Sequence, residues 1–227
     1  DIVRDFSRRL VAFAEEHGVF YDAMMLTNCN LIDAAAVELL ADARVSEVFV
    51  TIDGLEDEHN KRRVSATGSN SYANNIEAIR LLTARGIRVT ANMNVDKVNI
   101  KQLPAVRKML REQFGIEMVT EQLNDYRHFF GQGAFCAPDF ELFTHDEYAQ
   151  AIHDEQKESG VLTPEALRTM LQPVPNFCRG QMENYFVIDA FGDVYACDGW
   201  MGDKRHRVCN ILDASSGIGE HLHEVVF

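Results

Sequence analysis

The distribution of apolar positions divides the first half of the chain into alternating strands and helices. Apolar runs of strand length occur at residues 22–26, 48–51, 88–95 and 115–119. Apolar residues at helical spacing fill the intervals, at residues 2–17, 34–43, 71–84 and 99–110. Strands that alternate with helices in this way are typical of a parallel α/β arrangement with right-handed crossovers. An open sheet and part of a barrel fit this periodicity equally well.

The second half of the chain has a different pattern. Residues 144–159 predict a helix that Thr144 caps, and Gly131, Gly133 and Pro138 indicate a loop before it. Two short apolar runs at 185–189 and 194–197 flank a Gly-Asp turn, which predicts a β-hairpin. We therefore expect three regions. They are a (β/α) domain at 1–125, a helical connector at 126–177 and a small hairpin domain at 178–227.

Polar residues follow every predicted strand of the first region. They are Thr27 and Asn28, Thr51 and Asp53, Asn92 and Asn94, and Gln122 and Asn124. Ligands of parallel α/β folds bind at the carboxyl ends of the strands. Each residue taken alone can equally cap the helix that follows it. Because all the strand ends share this feature, the sequence favours one polar pocket at that edge of the sheet.

A densely charged segment, residues 56–63, follows Asp53 and Gly54. His59, Arg62 and Arg63 in this segment can hold an anionic group together with Lys61. A solvent-exposed charged face is the usual explanation for such a run. For Asp53, the alternative to ligand binding is a turn-capping role before the glycine.

Composition limits the classes of function. The chain has 227 residues, of which 46% are hydrophobic, enough for a large domain with an appendage. The 22 Lys and Arg residues against 35 Asp and Glu residues give a net charge of −13, which argues against a nucleic-acid partner. Apolar runs are no longer than strands and no signal peptide is recognisable, so we expect a cytoplasmic protein without a membrane partner.

The five cysteines favour metal binding or buried thiols over disulfides. They are Cys29, Cys136, Cys178, Cys197 and Cys209. Cys178 lies before the predicted hairpin and Cys197 at its end, so the hairpin can bring the two sulfurs together to bind an iron–sulfur cluster or zinc. Two unrelated buried cysteines remain the alternative. Cys209, with His206, can complete a zinc site or can pack in a strand, and Cys29 can line the pocket or pack in the core.

Several of these segments together resemble radical S-adenosylmethionine enzymes that carry a SPASM or twitch extension. The resemblance rests on the segments MLTNCNLI, VFVTIDGLEDEHNKRR, SYANNIEAIRLLTARGIRVTANMNVDKVNI and CRGQMENYFVIDAFGDVYAC. Within them, the motifs similar to those of the family are Thr27-Asn28-Cys29, Thr51-Ile52-Asp53-Gly54, His59-Asn60-Lys61-Arg62 and Asn94-Val95. Cys178, Gly192 and Cys197 match the family spacing C-x(9–15)-G-x(4)-C.

The resemblance implies a partial (β/α) barrel followed by a partial SPASM or twitch domain at 178–227. It implies that S-adenosylmethionine lies across the strand ends, and that Cys178 and Cys197 ligate an auxiliary [4Fe–4S] cluster. The expected cofactor-binding residues are Thr27, Asn28, Thr51, Asp53 and Asn94. In such enzymes a reduced [4Fe–4S] cluster cleaves S-adenosylmethionine to a 5′-deoxyadenosyl radical, which abstracts a substrate hydrogen. The implied partners are a peptide or protein substrate and an electron donor.

Two family features are missing from the sequence. It contains neither the C-x3-C-x2-C motif that holds the radical-generating cluster nor the G-G-E-P segment that binds the methionine end of the cofactor. We expect both to precede residue 1 and further cysteines to follow Phe227, so that this chain is a fragment, inactive by itself. Two alternatives stay open: an aldolase-like α/β enzyme with a zinc-stabilised hairpin, and a non-catalytic peptide-binding module derived from the family.

Overall fold

The computed structural model describes residues 2–64, 68, 70–116, 119–123, 141–160, 163–165, 168 and 185–212. For residues 119–123 it describes the backbone alone. The chain divides into two compact units. One comprises residues 1–124 and 137–160, and the other comprises residues 125–136 and 161–227. The boundaries expected from the sequence, after residues 125 and 177, stay a prediction.

The first unit contains a sheet of parallel strands in the order β1-β2-β3-β4. The strands are β1 (Ala23–Thr27), β2 (Val45–Thr51), β3 (Arg88–Val95) and β4 (Val119–Leu123). The helices are α1 (Ile2–His17), α2 (Ala34–Asp42), α3 (Glu56–Arg62), α4 (Ser71–Ala84), α5 (Leu103–Phe114, after a 3-10 turn at Asn99–Gln102) and α6 (His145–Glu158). This arrangement confirms the predicted α/β class with a parallel sheet, while closure into part of a barrel stays a prediction.

Local capping explains several of the helix boundaries. The Asp33 carboxylate accepts a 2.8 Å hydrogen bond from the backbone N–H of Ala36 and so begins α2. Thr144 and Glu147 form a reciprocal capping box at the start of α6, as the sequence predicted for Thr144. Gly115, with a φ of 68°, ends α5 in the left-handed conformation that glycine adopts without strain.

The expected fourth strand was placed too early in the sequence. Residues 115–119 were predicted as the strand, whereas Gly115 belongs to the end of α5 and β4 begins at Val119. The apolar run was ambiguous because its first residues complete the helix rather than start the strand. Strand β2 also begins at Val45 rather than at residue 48.

The two faces of the sheet have different roles. Val48, Val50, Met93 and Val95 are fully buried in the apolar core, together with residues of α2, α4 and α5. Side chains alternate between the faces along each strand, so Thr51 lies on the opposite face. The register aligns Thr51 with Asn92 and Phe49 with Thr90, which places Asn92, Asn94 and Thr90 on that face as well. One face therefore holds the core and the other carries the polar strand ends.

The second unit contains a small antiparallel sheet in the order β5-β6-β7. Its strands are β5 (Val187–Ile188), β6 (Asp193–Tyr195) and β7 (Arg207–Asn210). Strands β5 and β6 form the predicted hairpin, whose turn is held by the Asp189 carboxylate accepting from the N–H groups of Phe191 (2.8 Å) and Asp193 (3.0 Å). Among the described residues, no helix combines the length and the apolar character needed to cross a membrane.

Candidate functional site

Asp53 is the centre of a hydrogen-bonded network where β2 and β3 end. The N–H of Ile52 donates to the carbonyl of Asn92 at 2.8 Å, so the strand pairing continues beyond Thr51. Asp53 therefore lies on the same face as Thr51. Its Oδ1 accepts from the backbone N–H of Asn94 (2.9 Å) and from the Asn94 side-chain amide (3.3 Å). Thr51, Asp53 and Asn94, all expected at the site, are thus brought together.

Arg63 and Asn99 also hold Asp53 in place. Its Oδ2 accepts a 2.6 Å hydrogen bond from Nε of Arg63. Its backbone carbonyl accepts from the Asn99 side chain at 2.9 Å, and the same Asn99 nitrogen also donates to the carbonyl of Asn94 at 2.8 Å. The Asp53 side chain is only 5% exposed. Both carboxylate oxygens are therefore occupied, and the carboxylate orients its neighbours.

His59 holds the backbone of Asp53 in place. Its ring is fully buried, and its Nδ1 lies 3.2 Å from the backbone nitrogen of Asp53, which donates to it. Burial lowers the pKa of His59 to about 4, an effect that the nearby Asp53 carboxylate opposes. At neutral pH the ring is therefore uncharged, with its hydrogen on Nε2. Tyr72 of α4 meets this ring edge-on, with the ring centres 5.8 Å apart.

The charged segment is not the exposed face that such a run usually forms. His59 is buried, and the Arg62 side chain is only 6% exposed. Arg62 binds the fully buried Asp96 carboxylate with both terminal nitrogens and donates to Glu58 at 2.6 Å. The exposed-face explanation was wrong for these two residues. Arg62 binds a buried carboxylate in the loop after β3, and His59 accepts from the backbone of Asp53, and sequence spacing alone reveals neither contact.

Gly54 allows the chain to turn immediately after Asp53. Its φ is 149°, a conformation that only glycine adopts readily. A Cβ on this residue would lie 2.8 Å from Oε1 of Gln102 and 3.0 Å from Cβ of Glu58. Gln102 Oε1 also accepts from the N–H of Leu55 at 2.8 Å. The turn therefore leaves no room for a larger residue.

The turn after β1 forms its own local network. Thr27 pairs with Val50, which places its side chain towards the core face, and Thr27 Oγ1 accepts from the N–H of Cys29 at 3.1 Å. Asn28 Oδ1 accepts from the N–H of Asn30 at 3.3 Å. Within the part of the chain that the structure describes, no hydrogen bond joins this turn to Asp53. The cofactor-binding roles of Thr27 and Asn28 stay predictions.

Cys29 belongs to the core rather than to an open pocket. It is 1% exposed and has a φ of 58°. Burial raises the pKa of its thiol to about 12, against a smaller opposite effect of the Thr27 hydroxyl. The packing explanation is therefore confirmed for this residue.

The cysteine pair is described only in part. Cys178 lies outside the described residues, as does Cys136, and Cys197 is a free, half-buried cysteine whose Sγ lies 3.6 Å from Asp198 Oδ1. Cys209 lies in β7 opposite Val194, as the strand alternative expected. Within the described ranges, no three His, Cys, Asp or Glu residues form a metal-binding group. A cluster held by Cys178 and Cys197 stays a prediction.

The sequence did not indicate that His59 and Arg62 of the charged segment are buried and hold the strand ends. His59, Arg62 and Arg63 are spaced i, i+3 and i+4, so they share one side of a helical turn. That spacing could have indicated a common inward direction. Nothing in the sequence, however, identified Asp96 and Asn99 as their surroundings.

No protein-family model matches this chain. Among curated proteins, it is similar to Fe-coproporphyrin III synthase of Methanosarcina barkeri, with 29% identity over 104 residues, which is 46% of this chain and 25% of that protein. Its fold is similar to that of anSMEcpe, an anaerobic sulfatase-maturating radical S-adenosylmethionine enzyme solved with bound AdoMet. That likeness has a TM-score of 0.70 at 20% identity and covers 97% of this chain and 64% of the other.

A second similar structure is SuiB of Streptococcus suis, with a TM-score of 0.60 at 14% identity, covering 93% of this chain and 51% of SuiB. The chain thus spans a quarter of the curated relative and between about half and two thirds of these solved structures. The comparisons confirm the resemblance to radical S-adenosylmethionine enzymes that the sequence motifs predicted.

Proposed function

We propose that this chain forms the S-adenosylmethionine-binding edge of a radical S-adenosylmethionine enzyme. The observation that carries the proposal is the network around Asp53, which assembles Thr51, Asp53 and Asn94 where two parallel strands end. The similarity in fold to a structure solved with AdoMet supports it. The carboxyl edge of a parallel sheet is also where ligands of α/β folds bind.

The polar groups at this edge suit the cofactor. S-adenosylmethionine presents ribose hydroxyls, an amino group and a carboxylate, which need donors and acceptors of both kinds. Thr51 and Asn94 are half-buried on the polar face. The Arg63 side chain is 28% exposed and supplies a positive charge beside them. Asp53, whose oxygens are already occupied, is a positioning residue that orients Asn94 and Arg63.

When bound, a reduced [4Fe–4S] cluster together with S-adenosylmethionine supplies hydrogen-atom abstraction from the substrate. The contribution of this chain is to hold the cofactor against the strand ends and to keep the polar groups in one arrangement. Thr27 and Asn28 would add contacts from the turn after β1. Cys178 and Cys197 would hold an auxiliary cluster in the SPASM or twitch domain.

We propose a peptide or protein side chain as the substrate, with an oxidoreductase-type reaction, a separate electron donor and a cytoplasmic location. Support for this class comes from the structural relatives, since anSMEcpe has also been solved with a bound Kp18Cys peptide. The net charge of −13 agrees with the expectation that nucleic acid is not a partner.

The proposal is tested by titrating S-adenosylmethionine into the anaerobically purified protein in a calorimeter. Saturable binding is expected, and Asn94→Ala should weaken it about tenfold or more through the loss of one cofactor hydrogen bond. Glu77→Gln is the matched control, because Glu77 lies on the exposed side of α4, where it pairs with Arg80. Absence of binding to the unmodified protein contradicts the proposal.

Metal analysis of the same sample separates the main alternative. Iron with acid-labile sulfide supports an iron–sulfur protein. Zinc without iron instead supports the aldolase-like enzyme with a zinc-stabilised hairpin.

A further inference from the structure

Two fully buried polar atoms next to the end of β2 have no hydrogen-bond partner among the residues that the structure describes. They are Nε2 of His59 and Oδ1 of Asn75, and both residues are 0% exposed. Buried polar groups that lack a partner cost free energy, and in folded proteins they are normally satisfied by protein or by an ordered water. Each of these atoms therefore requires an explanation.

The hydrogen-bonding character of each atom follows from its neighbours. His59 Nδ1 accepts from the N–H of Asp53 at 3.2 Å, so the neutral ring carries its hydrogen on Nε2, which is a donor. The Asn75 amide nitrogen donates to the carbonyl of Thr51 at 2.8 Å. Its Oδ1 is therefore an acceptor, and no described residue donates to it. His59 Nε2 therefore needs an acceptor, and Asn75 Oδ1 needs a donor.

The two side chains lie in neighbouring parts of the molecule. His59 is on α3 and Asn75 on α4, and these helices pack against each other. Tyr72, one helical turn before Asn75, contacts the His59 ring edge-on. The other ends of the two side chains bind Asp53 and Thr51, which are separated by a single residue.

We infer that His59 and Asn75 together bind one internal water molecule and are positioning residues for the strand end. The water accepts from His59 Nε2 and donates to Asn75 Oδ1. It closes a ring that runs from the amide of Asp53 through His59, the water and Asn75 to the carbonyl of Thr51. Only the link between this ring and cofactor binding rests on the proposed function.

This closed chain of hydrogen bonds explains why a neutral histidine is buried beside a charged segment. A leucine or phenylalanine would fill the same space but would leave the amide of Asp53 without an acceptor. The histidine fixes the backbone of Asp53, whereas Asn94 and Arg63 fix its carboxylate. Asp53 is therefore fixed at its backbone by His59 as well as at its carboxylate by Asn94 and Arg63.

The water is tested by NMR on the protein labelled with 15N in histidine, with His59→Asn used to assign the His59 signals among the eight histidines. At pH 7 the expected spectrum shows His59 as the Nε2–H tautomer, with a cross-peak between this proton and water. A ring protonated on Nδ1, a charged ring, a missing Nε2 proton signal or a resolved signal without the water cross-peak each overturns the inference.

The positioning role is tested by the affinity for S-adenosylmethionine. His59→Phe removes the acceptor for Asp53 and should weaken binding about tenfold, whereas His59→Asn keeps an acceptor near the position of Nδ1 and should stay within about threefold. His153→Phe, on the exposed side of α6, is the matched control and should leave binding unchanged.

Equal losses in the two His59 variants contradict the positioning role. If the unmodified protein binds no S-adenosylmethionine, the proposed function fails. The NMR result then still decides the water site by itself.

Discussion

The carboxylate of Asp53 and the guanidinium of Arg63 are joined by a 2.6 Å contact between Oδ2 and Nε. Arg62, the preceding residue, binds the carboxylate of Asp96 in the loop after β3. Two consecutive arginines at the end of α3 thus bind carboxylates that follow two neighbouring strands. Helix α3 is thereby tied to both strand ends, and the polar edge of the sheet is held as one unit.

Asp53→Asn should weaken the binding of S-adenosylmethionine about tenfold or more and lower the free energy of unfolding by about 2 kcal/mol. The physical reason is the loss of the charge that Arg63 faces, and this figure allows for the partial exposure of Arg63. Calorimetric titration and urea unfolding measure the two effects. Glu77→Gln breaks the exposed Glu77–Arg80 pair and should leave the free energy of unfolding nearly unchanged, because solvent screens that pair. Equal losses of affinity and stability in Asp53→Asn and Glu77→Gln would show that the Asp53–Arg63 pair contributes no more than an exposed pair.

Asp96→Asn should lower the free energy of unfolding by about 3 kcal/mol, because it leaves the Arg62 charge buried with a weaker partner. A double-mutant cycle with Arg62→Met, measured by urea unfolding, should give a coupling energy above about 1 kcal/mol. The solvent-screened pair of Asp203 and Arg205 supplies the comparison, and its cycle should give a much smaller coupling energy. Additive effects of the Arg62 and Asp96 substitutions would contradict the expected ion pair.

Gly54→Ala should lower the free energy of unfolding by about 2 kcal/mol, because the φ of 149° is strained for alanine and its Cβ meets Glu58 and Gln102. Gly160→Ala is the matched control, since Gly160 has a positive φ of 73° but no atom within 4 Å of the added Cβ. Its cost should be about 1 kcal/mol. The measurement is the urea midpoint of each variant. A smaller loss of unfolding free energy in Gly54→Ala than in Gly160→Ala would contradict the expected clash of the added Cβ with Glu58 and Gln102.

The stability of the protein should decrease as the pH falls from 6.5 towards 4. The pKa of His59 is about 4 in the folded chain, against an ordinary value of 6.5, so in this range the unfolded chain binds more protons than the folded one. The expected loss of unfolding free energy between pH 7 and pH 5 is about 2 kcal/mol. Carboxyl groups with lowered pKa values, such as Glu47, lose their contribution only below their ordinary value of 4.5.

Urea unfolding at pH 7, 6 and 5 measures this dependence, and His59→Asn should remove most of it. A variant that keeps the full pH dependence would show that another group causes it. His153→Asn is the corresponding control at an exposed position and should behave as the unmodified protein.

Much of the fold was predictable because it depends on local patterns. The periodicity predicted α4 and β3 with their observed bounds, and Thr144 caps α6 as expected. The boundary between α5 and β4 was not predictable, since one apolar run supplies both the end of the helix and the approach to the strand. The parallel class followed from the alternation itself.

The candidate site was predictable only as a set of strand-end residues. Thr51, Asp53 and Asn94 come together because neighbouring parallel strands end at the same edge, which is a property of the topology. The positions of Thr27, beside the core, and of Cys29, within it, depend on the register of β1. A shift by one residue would exchange the two faces of that strand.

The sequence by itself determined which residue types follow the strands and which segments resemble a family, because both are carried by neighbours in the chain. Only the tertiary structure decided that His59 is buried and neutral, that Arg62 finds Asp96, and that Asp53 has no free carboxylate oxygen. Each of these depends on contacts between residues distant in sequence. Burial and charge pairing act through space, so the same residues in a different packing would have different chemistry.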